Sequence, residues 1–171
     1  MYVVKYIKYG SEEYQKVLKM RDEVIFKPLG RSVSDKDLSC GQSHIIIGAF
    51  ESNSMFTNLL IGCGAIAAED ADTFSVQYVC VDKVLQKKGV GSALMQCLEK
   101  IACDRGAKKL VLDAGVSAVD FCQRFGYIPT GDVFEKADGT GAHIKMEKHI
   151  LLMPKQEHHH HDGCGCGHHH G

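Results

Sequence analysis

The stretch over residues 77–98 constrains the fold more than any other part of this sequence. A β-rich segment passes through a basic turn, Gln86-x-x-Gly89-x-Gly91, into an amphipathic segment. Glycine has no Cβ, so a ligand can approach the backbone closely at Gly89 and Gly91. From Val90 onward, apolar residues recur at the spacing of one buried helix face. The stretch therefore predicts a strand, a loop and a helix in direct succession.

The start of that helix is predicted to bind an anion. The first N–H groups of a helix have no partner within it and lie at the positive end of its dipole, so a phosphate is a natural ligand. Lys87 and Lys88 add positive charge at the same place. Neither of the two common phosphate-binding glycine motifs is present. A simple glycine turn before a helix is the alternative interpretation.

The composition favours one compact domain followed by a polar tail. A chain of 171 residues with 44% hydrophobic content can bury one sizeable core, so we expect a domain over 1–153 and a flexible tail over 154–171. The formal net charge of −1 provides no basic field for nucleic acid or an anionic membrane. No run approaches the roughly 18 apolar residues of a transmembrane helix, and no signal-peptide pattern follows Met1. We expect a cytoplasmic monomer or homodimer without a nucleic-acid or membrane partner.

The remaining patterns predict a mixed α/β sheet. A helix capped by Ser11 should end before Pro28, and Arg21 and Glu23 near its end are interpreted as solvated surface. The helix from Val90 joins two strands as a crossover, so those strands should be parallel and their connection right-handed. The other predicted elements are a helical turn over 35–38, a helix over 116–125 and strands over 2–9, 44–51, 59–68, 73–81, 108–114, 127–134 and 142–147.

A second motif lies about 30 residues after the glycine loop, and the two motifs together resemble one protein family. The second motif reads Ala118-x-x-Phe121-Cys122-x-x-Phe125-Gly126-Tyr127. Over residues 1 to about 150 the chain resembles the GNAT N-acetyltransferase superfamily, whose corresponding motifs are [Arg/Gln]-x-x-Gly-x-[Gly/Ala] and Ala-x-x-Phe-Tyr-x-x-x-Gly-Phe. The pattern over 134–146 is similar to the ElaA-like branch of that superfamily, with Ala142 in place of a proline.

The resemblance implies a GNAT fold and acetyl-CoA as cosubstrate. This fold has a mixed, mostly antiparallel sheet flanked by helices, with a parallel pair formed by the fourth and fifth strands. Those two strands splay apart around the pantetheine arm. The strand before the loop would pair with pantetheine and polarise the thioester carbonyl, and the loop would hold the pyrophosphate. The implied cofactor-binding residues are Val79, Cys80, Val81, Gln86, Lys87, Lys88, Gly89, Val90, Gly91, Ser92, Phe121 and Arg124.

The implied chemistry is direct attack of an amine on the thioester, without an acyl-enzyme. Cys122 stands where the family usually has a tyrosine that protonates the departing thiolate. A thiol with a pKa of about 8.5 can protonate a thiolate of similar basicity, so Cys122 is a candidate acid. The alternatives are a core cysteine with water as the acid, or a covalent adduct of Cys122. Gly115 departs from the family too, because many relatives have Asn or Gln there.

His143 is the leading candidate for the base that takes the proton from the amine. An imidazole with a pKa of about 6.5 can accept a proton at neutral pH. A histidine that bonds only to the backbone is the alternative interpretation. Glu135 is a second candidate, Asp113 and Asp82 are further ones, and ordered water could carry the proton in their place.

The tail is rich in metal-binding side chains. It has no apolar residue to bury and should be flexible. Imidazoles and thiolates bind Zn²⁺ or Ni²⁺, although the tail could also be a purification tag. The candidate ligands are His158, His159, His160, His161, Cys164, Cys166, His168, His169 and His170.

The sequence thus predicts an acetyl-CoA-dependent N-acetyltransferase that acts on a primary amine of a small molecule or peptide. One alternative is a non-catalytic sensor that binds acyl-CoA, favoured by Cys122 and Gly115. The other is a metal-handling protein in which the tail carries the function and the domain is a scaffold.

Overall fold

The computed structural model describes residues 2–30, 41–51, 59–85, 89–137 and 139–150. The helical turn predicted over 35–38 lies outside these ranges. So do Gln86, Lys87 and Lys88 of the glycine loop, and the whole tail with its candidate metal ligands.

The described strands form one mixed sheet in the order β1-β2-β3-β4-β5-β8-β6, with β7 paired to β8. Every pairing is antiparallel except that of β4 with β5, as predicted. The strands are β1 Tyr2–Ile7, β2 Ile45–Glu51, β3 Leu59–Ala68, β4 Thr73–Val81, β5 Lys109–Gly115, β6 Ile128–Pro129, β7 Phe134–Glu135 and β8 Ala142–His149.

Three α-helices accompany the sheet in the described ranges: α1 Glu12–Arg21, α2 Val90–Asp104 and α3 Val119–Arg124. The Ser11 hydroxyl accepts the N–H of Tyr14 and caps α1, as predicted. A π-helical turn over Asp22–Phe26 and a 3₁₀ turn over Lys27–Leu29 then complete the first helical segment. No helix in the described part of the chain combines the length and the apolar character needed to cross a membrane.

The parallel strands β4 and β5 separate soon after they meet. Only Thr73–Ser75 pairs with Lys109–Val111, whereas β5 pairs with β8 along its whole length. The register of β4 against β3 shifts by one residue between Gln77 and Cys80, which is the mark of a β-bulge. Tyr78 lies in this bulge with a φ of 50°. The bend ends the pairing with β5 and opens a gap between the two strands.

Helix α2 packs closely against β3 and thereby positions its own first turn near the end of β4. Its buried face includes Val90, Leu94 and Leu98, each no more than 1% exposed. A Cβ on Gly62 of β3 would lie 2.9 Å from Cγ1 of Val90 and 3.0 Å from Cδ1 of Leu94. Only glycine at position 62 lets the helix approach the sheet this closely.

Two expectations from the sequence are wrong. The predicted strand over 127–134 is instead two short pairings of β8, with Ile128–Pro129 and with Phe134–Glu135. The N–H of Thr130 still donates to Lys145 of β8, and the pairing then breaks over residues 131–133, where the register against β8 shifts. Arg21 is 1% exposed and lies in the interior, although Glu23 two residues later is exposed as expected.

Candidate active site

A cleft of about 360 Å³ lies in the gap between β4 and β5. Strand β8, helices α2 and α3, and the helical turns after α1 contribute the rest of its lining. This is the place where the resemblance expects pantetheine to lie. The lining consists of Val24, Ile25, Leu29, Val76, Tyr78, Val79, Met95, Leu112, Asp113, Ala114, Gly115, Ser117, Ala118, Phe121, Cys122, Lys136, Thr140 and His143.

The end of β4 borders the cleft. Beyond Ser75 this strand is not paired with β5, so an extended ligand can lie along this part of the strand. Val79 lines the cleft. The side chain of Cys80 lies in the core instead, with its Sγ 3.5 Å from that of Cys63, so Cys80 can contribute only backbone groups.

The first turn of α2 meets the end of β4 and the start of α3. Gly89 precedes the helix with a φ of 80°, and among the described residues no side chain caps the first N–H groups. A Cβ on Gly91 would lie 3.6 Å from Cζ of Phe121 and 3.7 Å from Cγ2 of Val81. The structure therefore brings together three of the predicted cofactor residues from three different elements.

Two further predicted cofactor residues lie beside this point. Ser92 is half-buried in the first turn of α2. Arg124 is exposed on α3, with its guanidinium 5.9 Å from the centre of the Phe121 ring. Neither residue lines the cleft.

Cys122 is buried on α3 and faces the cleft. Burial raises the pKa of its thiol to about 11. The thiol is therefore protonated at neutral pH and can donate a hydrogen bond. Transfer of its proton to a thiolate with a pKa of about 8.5 is energetically uphill.

His143 lies on β8 opposite Gly115 of β5, and both residues line the cleft. The His143 Nδ1 is 2.8 Å from the carbonyl oxygen of Gly141. A carbonyl can only accept, so Nδ1 carries a proton, and in the neutral ring Nε2 then presents a lone pair. A Cβ at position 115 would lie 3.8 Å from this Nε2, so a longer side chain there would crowd the imidazole.

The carboxylates proposed as bases lie in three different settings. Glu135 is exposed on β7 and does not line the cleft. Asp113 lines the cleft, but its Oδ2 is 3.5 Å from the Nζ of Lys136. Asp82 lies after the end of β4, where it accepts the N–H of Val84. The structure thus brings His143 and Cys122 to one cleft and leaves Glu135 outside it.

The cleft also contains polar residues that were not foreseen from the sequence, among them Tyr78, Lys136 and Thr140. Tyr78 reaches the cleft because of the β-bulge, and no sequence signal indicates that bulge. Lys136 and Thr140 lie in the polar turn before β8, which is too irregular in sequence to place.

The described residues contain no group of three or more His, Cys, Asp or Glu side chains that could hold a metal ion. The candidate ligands over 158–170 lie outside the described ranges, so metal binding by the tail stays a prediction.

Several known proteins are similar to this chain. An uncharacterized N-acetyltransferase, YjcF, of Bacillus subtilis (strain 168) is 27% identical over 141 residues, which cover 81% of this chain and 94% of that protein. The structure of Escherichia coli ElaA has a TM-score of 0.67 and 21% identity, covering 85% of this chain and 98% of ElaA. A GNAT family acetyltransferase from Elizabethkingia anophelis, solved with acetyl-CoA bound, has a TM-score of 0.64 and 16% identity, covering 87% and 98%.

The two structural similarities confirm the predicted fold, and the match to a family model covers most of the sheet and the cleft. That model is described as an acetyltransferase (GNAT) domain and matches residues 46–150. The matched segment spans more than half of the chain and contains both motifs. The chain therefore belongs to the GNAT acetyltransferase family and is an acyltransferase.

Proposed function

We propose that this protein transfers the acetyl group of acetyl-CoA to a primary amine of a small molecule or peptide. The observation that carries the proposal is that His143 and Cys122 both line the cleft in the gap between β4 and β5. Both side chains line one cleft, and that cleft lies next to the first turn of α2.

The residues around the cleft fit acetyl-CoA as a ligand. The part of β4 after Ser75, where its pairing with β5 has ended, gives an extended pantetheine arm room to lie along the strand. The N-terminus of α2 suits a phosphate, and Gly91 leaves open the space that a side chain would fill. The bound cosubstrate would supply the activated acetyl group and a thiolate leaving group.

In this proposal His143 receives the proton that the amine loses. Its Nδ1–H is held by the Gly141 carbonyl, so Nε2 is available as the acceptor. Cys122 donates a hydrogen bond to the sulfur of the departing thiolate and lowers its basicity, while water can deliver the proton. Glu135 is exposed and would act only through intervening water.

A screen of primary amines tests the proposal. Amino acids, polyamines, amino sugars and peptides are incubated with acetyl-CoA, and release of free thiol is measured together with acetyl-CoA binding by calorimetry. We expect saturable binding and thiol release that depends on the amine. Binding without turnover on any amine would favour the non-catalytic sensor instead.

Three other features stay predictions. They are metal binding by the tail, the domain boundary near residue 153 and the cytoplasmic location. Metal titration of the full chain and of a chain without residues 157–171 tests the first of them.

A further inference from the structure

Arg21, the last residue of α1, is buried with unpaired donors. It is 1% exposed, and arginine is almost never buried to this degree unless it is paired. Within the described ranges, its Nε and Nη2 have no hydrogen-bond partner. A buried charge without a partner is strongly destabilising, so an anion bound beside the guanidinium of Arg21 would stabilise the protein.

The two unpaired nitrogens define the shape of the missing partner. Nε and Nη2 lie on the same edge of the planar guanidinium and point their N–H groups in parallel. This edge binds the two oxygens of a carboxylate in a bidentate pair. The free donors of Arg21 therefore match a carboxylate better than a single-atom acceptor.

Arg21 lies against a wall of the cleft. Its guanidinium carbon is 4.7 Å from the centre of the Tyr78 ring, and the Tyr78 side chain lines the cleft. Val24 and Ile25, about one helical turn after Arg21, also line it. The guanidinium of Arg21 therefore packs against a residue of the cleft lining, at the bulge where the thioester is expected to bind.

A second unpaired polar atom lies near Arg21. The Nδ1 of His44 is buried and has no hydrogen-bond partner among the described residues. Burial and the charge of Arg21 lower the pKa of His44, so its ring is neutral at pH 7. A neutral imidazole can still donate one hydrogen bond to an anion bound by Arg21.

The charges in the cleft favour the same class of ligand. Among the described residues that line it, Asp113 is the only carboxylate, and Lys136 is paired with it. A second ammonium group on the acceptor would find no free carboxylate there. A carboxylate on the acceptor would find Arg21.

We propose that Arg21 is a specificity-determining residue that binds a carboxylate of the acceptor, so that the preferred acceptors are amino acids or other amines that carry a carboxylate. This inference rests on the proposed acetyl transfer. The Tyr78 side chain rotates to admit the carboxylate to the Nε and Nη2 edge. The reacting amine of the same molecule then lies in the cleft toward His143.

Matched pairs of acceptors test the inference. Each amino acid is compared with its carboxamide in wild type, Arg21→Met, Arg21→Lys and the control Lys19→Met, which removes an exposed charge from the same helix. We expect wild type and the control to favour the carboxylate by about 10- to 100-fold in kcat/KM. Arg21→Met should abolish this preference by raising KM for the carboxylate alone, and Arg21→Lys should keep part of it. The ratio of the two acceptors does not depend on the fraction of folded protein.

The inference is overturned, with acetyl transfer intact, if the ratio of kcat/KM for carboxylate over carboxamide is near one in wild type. It is also overturned if this ratio is unchanged in Arg21→Met. Absence of thiol release with every amine would overturn the proposed function instead. In that event the inference is tested by binding alone. Calorimetry of the CoA-loaded protein compares the affinities for N-acetylglycine, which carries a carboxylate, and N-acetylglycinamide, which does not. Tighter binding of the carboxylate that is lost in Arg21→Met supports it, and equal binding of the two compounds overturns it.

Discussion

At the scale of single residues, His143 has the geometry of a proton acceptor. The Gly141 carbonyl holds its Nδ1–H and leaves Nε2 facing the cleft beside Gly115. Gly115 contributes by being small, because the side chain that many relatives carry at this position would crowd the ring. The departure from the family pattern at position 115 is therefore compatible with a catalytic His143.

We expect His143→Ala to lower kcat about 100-fold, because the amine loses the group that takes its proton. The dissociation constant for acetyl-CoA should change little. Steady-state kinetics and calorimetry on the same preparation measure both quantities. His149→Ala, an exposed histidine of the same strand, is the matched control and should behave as wild type. Full turnover of His143→Ala at saturating substrate would remove His143 from the mechanism.

Cys122 offers a weaker form of assistance than the usual tyrosine. Burial raises the pKa of the thiol to about 11, so it keeps its proton and donates a hydrogen bond. We expect Cys122→Ala to lower kcat about tenfold, the value of one hydrogen bond to a charged group, and Cys122→Tyr to restore it. Rapid-quench measurement of the chemical step checks this. An alanine variant as fast as wild type would end any role for the thiol.

At the scale of elements, the bulge in β4 and the close packing of α2 build the cleft together. The bulge ends the pairing of β4 with β5, and the packing on β3 holds the first turn of α2 against Val81 and Phe121. Neither the bulge nor the helix packing would form the binding place by itself. Their junction places the part of β4 that has separated from β5 next to the N-terminus of α2.

We expect Gly62→Ala to weaken acetyl-CoA binding although position 62 does not line the cleft. The added Cβ would meet Val90 at 2.9 Å and the backbone carbonyl of Cys80 at 3.3 Å, so α2 must move away from the sheet. Such overpacking costs about 1–3 kcal/mol of stability. Calorimetry and urea unfolding measure the two effects. Gly131→Ala, where nothing lies within 4 Å of the added atom, is the control. Unchanged affinity in Gly62→Ala would show that the first turn of α2 does not position the ligand.

At the scale of the whole molecule, one partly buried network joins α2, the turn after α3 and β8. The Tyr127 hydroxyl donates to Glu99 at 2.8 Å, and Lys148 donates to the other oxygen of Glu99 at 2.9 Å. Burial and the neighbouring carboxylate raise the pKa of Tyr127, so this hydroxyl keeps its proton across the ordinary pH range. The network therefore ties β8, the last strand, to helix α2 through the carboxylate of Glu99.

We expect Tyr127→Phe to lower the free energy of unfolding by about 1–3 kcal/mol, because the Glu99 carboxylate loses a donor in a partly buried position. The effect on kcat should be small, since neither side chain lines the cleft. Urea unfolding followed by circular dichroism measures the change. Tyr6→Phe, at a position that is 48% exposed, serves as the control. Equal stability of the two variants would contradict a structural role for the network.

The tail supports a further prediction at this scale, because the last described strand ends at His149. We expect deletion of residues 157–171 to leave the rate of acetyl transfer unchanged while abolishing retention of Zn²⁺ or Ni²⁺. Metal content by mass spectrometry and thiol release measure both properties. A loss of acetyl transfer in the truncated protein would mean that the tail is part of the enzyme.

The sequence by itself determined the order of the main elements, the parallel β4 and β5, the glycine turn before α2 and the candidacy of Cys122 and His143. The first three features depend on local patterns: apolar periodicity, glycine and proline positions, and the length of a crossover. The candidacy of Cys122 and His143 rests on the resemblance to the family motifs and on the chemistry of the two side chains. Only the tertiary structure decided which side chains share the cleft. The bulge at Tyr78 depends on the register between β3 and β4, and the burial of Arg21 depends on what packs against α1. Glu135 lies outside the cleft on the short strand β7, at a place fixed by its pairing with Ala142 of β8. Contacts between residues far apart in the chain produce no local pattern in the sequence, because they form only when the chain folds.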